Sequence, residues 1–265
     1  MNGTLIFVTK WPSIGASKTR LIPDLGEEGA FLLAKAMVED LIIKFSSSES
    51  LQNINKVLYF APEEAKEDTC SFLQQNDITE QWVLLPMIQS NELQSPDLGD
   101  KLVHAHNTCT QWFGPGATAF VGMDTPQLPA AAVARALAEG RGGRAFVCPA
   151  TDGGYVLLGL PAGAPAEACF RGVRWSADTT CEDQVRAINA ASIEVVTGDI
   201  YTDVDDAEDM EALISYLLQE SYEDRIQCSR CCEVLNQIIL KRISGEQRIQ
   251  ERSSGGPDIL SCILC

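Results

Sequence analysis

The groups in this sequence with the most chemistry to offer are carboxylates that stand where apolar runs stop. Phe120, Val121, Gly122 and Met123 lead into Asp124, with Thr125 and Pro126 behind it. A short run that is apolar throughout reads as a strand buried on both faces, and open α/β sheets take their ligands just beyond the carboxyl ends of such strands. Asp124 would then be an acid delivered to a sheet edge, although the same Asp-x-Pro could close a turn or cap the helix near Ala130. Thr151-Asp152-Gly153-Gly154-Tyr155 opens a second apolar run. Asp152 could accept hydrogen bonds from hydroxyls while the glycines let a ligand approach the backbone, with an Asp-Gly hairpin turn as the plainer reading.

A third group is Asp203, Asp205, Asp206, Glu208 and Asp209, five acids in seven positions. Such a cluster repels itself unless it is solvated, caps a helix or holds a cation. Asp205 or Asp206 is placed to cap the helix that follows. For Asp203 and Asp205 to face one ion together the extended backbone would need a bend, so one of them with Asp124 is the simpler pair. A hard divalent cation such as Mg2+, held by one or two carboxylates and by substrate phosphates, suits this supply of ligands.

Facing these acids in chemistry is a basic loop, Lys10-Trp11-Pro12-Ser13-Ile14-Gly15-Ala16-Ser17-Lys18-Thr19-Arg20-Leu21. Glycine backbone, point charges and one guanidinium fork are what phosphate binding requires. The loop is not a Walker motif, because Ser17 stands where a second glycine would precede Lys18-Thr19. Arg174-Trp175-Ser176-Ala177-Asp178 offers Ser176 or Asp178 as a helix cap and Trp175 as a lid or stacking surface. The only histidines, His104 and His106, are two positions apart on a predicted helix, about 200° around its axis, so they cannot chelate one metal and read as packing or surface residues.

The elements that must carry these residues alternate. Apolar or β-branched runs over 4–8, 56–61, 81–86, 117–122, 145–149, 155–159 and 193–196 read as strands. Helical periodicity marks 26–45, 63–75, a segment to about 112, 129–139, a segment to 190 and another to 218. Strands alternating with helices predict an α/β fold with a mostly parallel sheet and helices on both faces. The chain of 265 residues, with 37 acidic against 20 basic and a formal charge of -17, is large enough for one substantial core and poorly suited to bind nucleic acid. A divalent ion would reconcile that acidity with phosphate ligands. No secretory signal and no membrane-spanning run is visible, so a cytoplasmic protein with reduced thiols is expected from its ten cysteines.

Residues 1–219 form the expected domain, and 220–265 a cysteine-containing tail with one short helix over 231–243, able to dock on the core or on a partner, and disorder beyond it. Cys228-x-x-Cys231 and Cys262-x-x-Cys265 make two CxxC pairs whose 30-residue gap is long for a zinc ribbon. Cys262-Ile263-Leu264-Cys265 also has the form of a prenylation box, a route to membrane anchoring, with an atypical last residue.

Taken together and in order, Lys10-x-Pro12-x-x-Gly15-x-x-Lys18-Thr19-Arg20-Leu21, Asp97-Leu98-Gly99, Gly122-x-Asp124-x-Pro126, Asp152-Gly153-Gly154-Tyr155-x-Leu157-x-Gly159, Trp175-Ser176-x-Asp178 and Asp203-x-Asp205-x-x-Glu208-Asp209 resemble the small glycosyltransferases of the arsenosugar-biosynthesis type associated with radical-SAM proteins. That family is similar to the molybdenum-cofactor and phospholactate guanylyltransferases. The resemblance spans 3–218 and implies a nucleotide-diphosphosugar-transferase (GT-A) fold. It implies that Lys18 and Arg20 contact phosphates, with Lys10, Gly15, Thr19, Leu98 and Gly99 beside the nucleotide. Asp124, with Asp203 or Asp205, would ligate Mg2+ or Mn2+. Asp152, Gly153, Gly154, Tyr155, Trp175, Ser176 and Asp178 would line the sugar or acceptor side, with Asp124 and Asp152 catalytic. Trp11 and Ile14 depart from the small or proline residues of the pattern, and the cysteine-rich tail has no counterpart in it.

The implied activity is metal-dependent glycosyl transfer from a nucleotide sugar to a small-molecule acceptor. Nucleotidyl transfer from an NTP, guanylyltransferase-like, onto a small phosphorylated acceptor is the alternative, and a catalytically inactive binding protein of the same fold is a third.

Overall fold

The computed structural model describes residues 3–88, 96–219 and 226–240. Its chain order is β1 (Thr4–Lys10), α1 (Ile22–Ser47), β2 (Asn55–Ala61), α2 (Lys66–Gln75), β3 (Val83–Pro86), α3 (Leu98–Phe113), β4 (Thr118–Val121), α4 (Ala130–Arg141), β5 (Ala145–Pro149), β6 (Tyr155–Leu160), α5 (Ala166–Cys169), α6 (Thr180–Ala190), β7 (Val195–Thr197) and α7 (Ala207–Gln219). A last helix, α8, covers 229–240. The strands form one sheet in the order β3-β2-β1-β4-β6-β5-β7. Six run parallel, and β6 pairs antiparallel with both β4 and β5.

The continuous apolar runs are explained by cover on both faces. Leu5, Phe7, Leu58, Phe60 and Val121 pack with α1, α2 and α4 on one side, and Ile6, Val57, Tyr59 and Phe120 with α3, α5 and α6 on the other. Successive side chains alternate between the faces, so strand interiors are mostly apolar and the buried polar residues Thr4, Thr9, Lys56 and Thr118 stand at or next to strand ends. Trp11, a departure from the small residues expected in the basic loop, is a core residue: it is buried against Phe72 with ring centroids 6.1 Å apart.

Helix α1 begins earlier than the predicted residue 26, since Gly26 is a kink with φ 71° and ψ 168° inside a longer helix. The strands predicted over 81–86 and 117–122 are each shorter, at Val83–Pro86 and Thr118–Val121. His106 is buried against Phe120 and His104 lies beside Tyr59, so both are packing residues.

Helix α8 docks on the body of the protein: Cys228, Cys231 and Leu235 pack with Leu33 and Met37 of α1 and with Met210, Leu213 and Leu217 of α7. Asp40, buried on α1, accepts the backbone N–H groups of Arg230 and Cys231 at 3.1 and 2.8 Å, serving as the cap for the donors at the start of α8. The cysteines among the described residues are all free thiols. Cys262 and Cys265, and with them the second CxxC pair and the prenylation box, lie outside the described residues. Among the described residues no helix is long and apolar enough to cross a membrane.

Candidate active site

The six parallel strands end at one edge of the sheet, and β6 begins there. Asp124 lies three residues past the end of β4. Asp152 sits in the turn of the β5–β6 hairpin, where the Ala150 N–H donates to the Gly154 carbonyl at 2.9 Å and the Gly154 N–H to Asp152 Oδ1 at 2.7 Å. The hairpin reading of this motif holds, and the turn itself carries the Asp152 carboxylate to the edge.

The acid cluster arrives from the far end of the chain and is stitched between the same two strands. Tyr201 N–H donates to Pro149 O at 3.0 Å, Thr151 N–H to Tyr201 O at 3.0 Å, and Val204 N–H to Asp124 O at 2.9 Å. Gln127 Nε2 donates to Thr202 O at 2.5 Å. Val204 is buried, so Asp203 and Asp205 on either side of it turn away from the core together. This corrects the expectation that a bend would be needed: residues i and i+2 of an extended segment share a side. Asp206 and Asp209 have a separate task. Asp206 Oδ1 accepts the Asp209 N–H at 3.2 Å and Asp209 Oδ2 accepts the Asp206 N–H at 3.1 Å, a reciprocal cap on α7.

Lys18 faces these acids from the basic loop. Its backbone is left-handed, φ 48° and ψ 49°, at the start of a short turn over Thr19–Leu21 that buries Leu21. The Ser17 hydroxyl accepts the Ser13 N–H at 2.9 Å, closing the loop before it. The Lys18 ammonium lies 2.5 Å from Asp124 Oδ1 and 2.8 Å from Asp205 Oδ1, with its side chain 7 % exposed. Burial works against that charge, but Asp124 and Asp205 outweigh it and hold the ammonium above its ordinary pKa. Asp203 is affected in the opposite sense: burial, and then the charge of Asp152 with Asp205 and Asp124 adding, pushes its carboxyl up to about 6.

Two adjoining clefts result. One of about 280 Å3 is lined by Lys10, Lys18, Thr19, Arg20, Met123, Asp124 and Asp205. The other, of about 410 Å3, is lined by Leu98, Asp152, Gly154, Tyr155, Trp175, Ser176, Asp178 and Asp203, and shares Arg20 and Asp205 with the first. Three glycines expected at the site line neither cleft. Gly15 turns the basic loop beside Glu27 with φ 73°. Gly99 makes room for the Trp175 ring, which would come within 3.1 Å of a Cβ there. Gly153, with φ 90°, lies where a Cβ would be 1.9 Å from the Asp178 carbonyl oxygen, so its bareness serves the chain's own backbone rather than a ligand. The Tyr155 hydroxyl is likewise engaged internally, donating to Gln184 Oε1 at 3.1 Å.

Sequence reasoning missed the groups that hold the loop behind Asp124. The buried Lys44 ammonium of α1 donates to the carbonyls of Pro126 and Leu128, the latter at 3.2 Å, and Cys228 Sγ donates to Pro126 O at 3.1 Å. The available signal was a lone lysine among Leu41, Ile42 and Phe45 of an apolar helix. Met123 was also missed; its sulfur accepts the Lys10 N–H at 3.2 Å and ties the end of β1 to that of β4.

Asp124, Asp203 and Asp205 supply hard oxygen donors, and the ammonium shared by two of them marks a place where positive charge is stabilised. Among the described residues no three His, Cys, Asp or Glu side chains close into a metal cage on their own. That donor set fits an ion completed by substrate phosphates, as Mg2+ commonly is.

Residues 50–177 match the model of a family described as an uncharacterized protein conserved in bacteria (DUF2064). No curated protein matches the chain. Among solved structures, a protein from Desulfovibrio desulfuricans, provisionally described as a nucleotide-diphospho-sugar transferase, is similar with 22% identity and a TM-score of 0.74 over 90% of this chain and 99% of its own. A cytidylyltransferase from Leptospira borgpetersenii is similar with 11% identity and a TM-score of 0.51 over 89% and 94% of the two chains. A 4-diphosphocytidyl-2C-methyl-D-erythritol synthase from Anaerococcus prevotii follows with 8% identity and a TM-score of 0.50 over 82% and 99%. At these identities the likeness is one of fold: a mostly parallel seven-stranded sheet of the nucleotide-diphospho-sugar transferase and nucleotidyltransferase kind.

Proposed function

We propose that this protein is a divalent-cation-dependent glycosyltransferase of the arsenosugar-biosynthesis type, taking a nucleotide sugar as donor and a small hydroxyl compound as acceptor. The observation that carries the reading is the sharing of Asp205 and Arg20 between the two clefts. The smaller one concentrates the basic side chains that suit a diphosphate, and the larger one offers carboxylates and the Trp175 wall that suit a sugar and a hydroxyl.

The cation, when bound at Asp124 with Asp203 and Asp205, would neutralise charge on the departing diphosphate. Lys18 and Arg20 hold that diphosphate, and Asp152 receives the proton of the acceptor hydroxyl as its oxygen bonds to the anomeric carbon and the carbon–phosphate-oxygen bond breaks. The charge of the larger cleft favours this over nucleotidyl transfer onto a phosphorylated acceptor: Asp152, Asp178, Asp203 and Asp205 line it against Arg20 alone, and an acceptor phosphate would be repelled.

The test is incubation of the full chain with Mg2+ or Mn2+ and panels of nucleotide sugars and NTPs, each with polyol acceptors. Nucleoside diphosphate released with a glycosylated product, and lost in Asp124→Asn, is the expected result. Pyrophosphate released from an NTP with no sugar turnover would replace the reading by nucleotidyl transfer.

A further inference from the structure

We infer that Lys18 is an internal counter-ion of the carboxylate cluster, given up by Asp124 and Asp205 when a divalent cation binds and passed to the donor diphosphate, so that cation and nucleotide binding reinforce one another. The inference rests on the reading of Asp124 and Asp205 as cation ligands.

Four carboxylates, Asp124, Asp152, Asp203 and Asp205, share the sheet edge closely enough that the charges of the other three all act on Asp203. Such a cluster needs positive charge, and the structure supplies it from Lys18, which is within 2.8 Å of two of the four. The placement is built rather than incidental. The Lys18 backbone adopts a left-handed conformation that non-glycine residues seldom take, and the side chain is almost wholly covered although both of its partners are partly exposed.

The ammonium and a divalent ion compete for the same two oxygens. A carboxylate oxygen that ligates a metal at about 2.1 Å has an ammonium at hydrogen-bond distance repelled by the metal's double charge. Binding the ion at these oxygens therefore favours release of Lys18. Once free, the ammonium remains in the smaller cleft it already lines with Lys10 and Arg20, on the phosphate side. A diphosphate there receives the released charge, and by reciprocity a bound diphosphate that draws Lys18 away makes the carboxylates more available to the cation. Without nucleotide, Lys18 competes with the cation and keeps affinity low.

The direct test is Mn2+ titration of the nucleotide-free full chain, by calorimetry and electron paramagnetic resonance, in wild type, Lys18→Met, Lys18→Arg and Asp124→Asn. Removing the ammonium removes two partly exposed ion pairs that the ion must otherwise break, so Lys18→Met is expected to bind Mn2+ about tenfold more tightly. Lys18→Arg should stay near wild type, and Asp124→Asn should lose the site. Equal or weaker binding by Lys18→Met overturns the exchange. Retained binding by Asp124→Asn overturns instead the cation-site reading on which it rests.

If Lys18→Met does not fold, amine acetylation of the wild type followed by mass spectrometry decides the matter. Mg2+ alone should raise labelling of Lys18 relative to Lys10, and Mg2+ with inorganic pyrophosphate should lower it again. Labelling of Lys18 that Mg2+ leaves unchanged overturns the proposal.

Discussion

Replacing Gly153 by alanine tests whether the larger cleft is shaped by backbone contact. A Cβ at this position would lie 1.9 Å from the Asp178 carbonyl oxygen and 2.5 Å from its carbon. Both partners are backbone, so no side-chain rotation relieves the overlap. The segment holding Asp178 is itself fixed, because Thr180 Oγ1 donates to the carbonyls of Arg174 and Ala177 at 2.8 and 2.7 Å and the Cys181 N–H donates to Gly153 O at 2.9 Å. Placing a non-glycine residue at φ 90° costs about 1–2 kcal/mol, and losing the Cys181 N–H to Gly153 O bond as the two loops part costs about 1 kcal/mol more. The sum is about 2–3 kcal/mol, which for a chain of this size lowers the melting temperature by about 4–12 °C. Gly122→Ala is the matched control: it is exposed, nothing lies within 4 Å of its Cβ position, and its change should stay within about 0.5 kcal/mol. Circular-dichroism melting and urea titration measure both variants. If Gly153→Ala melts with Gly122→Ala, the close approach of the two loops does not exist and the cleft is wrongly drawn.

Three further outcomes concern the buried Lys44 and Asp40 and the half-buried Asp203. Lys44→Met should leave the Pro126 and Leu128 carbonyls short of a donor in a dry setting, costing about 2–3 kcal/mol in urea unfolding and weakening Mn2+ binding through the loop behind Asp124. Asp40→Ala should uncap α8, so that hydrogen exchange quickens over 229–240 while the strands stay protected; uniform acceleration everywhere would contradict a local role. Asp203 keeps its proton in the folded chain up to about 6 against an ordinary 3.8, so the folded state binds the extra proton between those values. Its stabilising contribution is full at low pH and is lost as pH rises towards about 6; the wild-type minus Asp203→Asn difference in stability should therefore fall from about pH 4 to pH 6, and Mg2+ should abolish or reverse that slope.

Much of the fold was legible because burial on both faces leaves a direct mark on composition. Strands such as 5–8 and 145–149 are apolar throughout, helices such as α1 carry periodic apolar residues, and their alternation specifies a parallel sheet whose carboxyl edge collects ligands. Asp124 and Asp152 could be picked out for the same reason, as the first carboxylates after buried runs. Element ends were less legible, since Trp82 and Ala117 continue the apolar pattern of their strands without belonging to them, and Gln81 closes the turn before β3.

What the sequence by itself determined, then, is which residues reach the edge of the sheet; the tertiary structure decided what they meet there. Lys18 and Asp205 are 187 positions apart, and only the stitching of 201–204 between the ends of β4 and β5 brings them to 2.8 Å. That two of the five neighbouring acids, Asp203 and Asp205, face the cleft while Asp206 and Asp209 cap α7 depended on the burial of Val204, which no local pattern states. The glycines show the same limit: a Gly-Gly pair announces close approach, but whether the approaching group is a ligand or the Asp178 carbonyl is settled by a loop folded in from elsewhere. Strand and helix preferences are local and survive in the sequence, whereas charge pairing acts through space between segments whose separation along the chain carries no record of it.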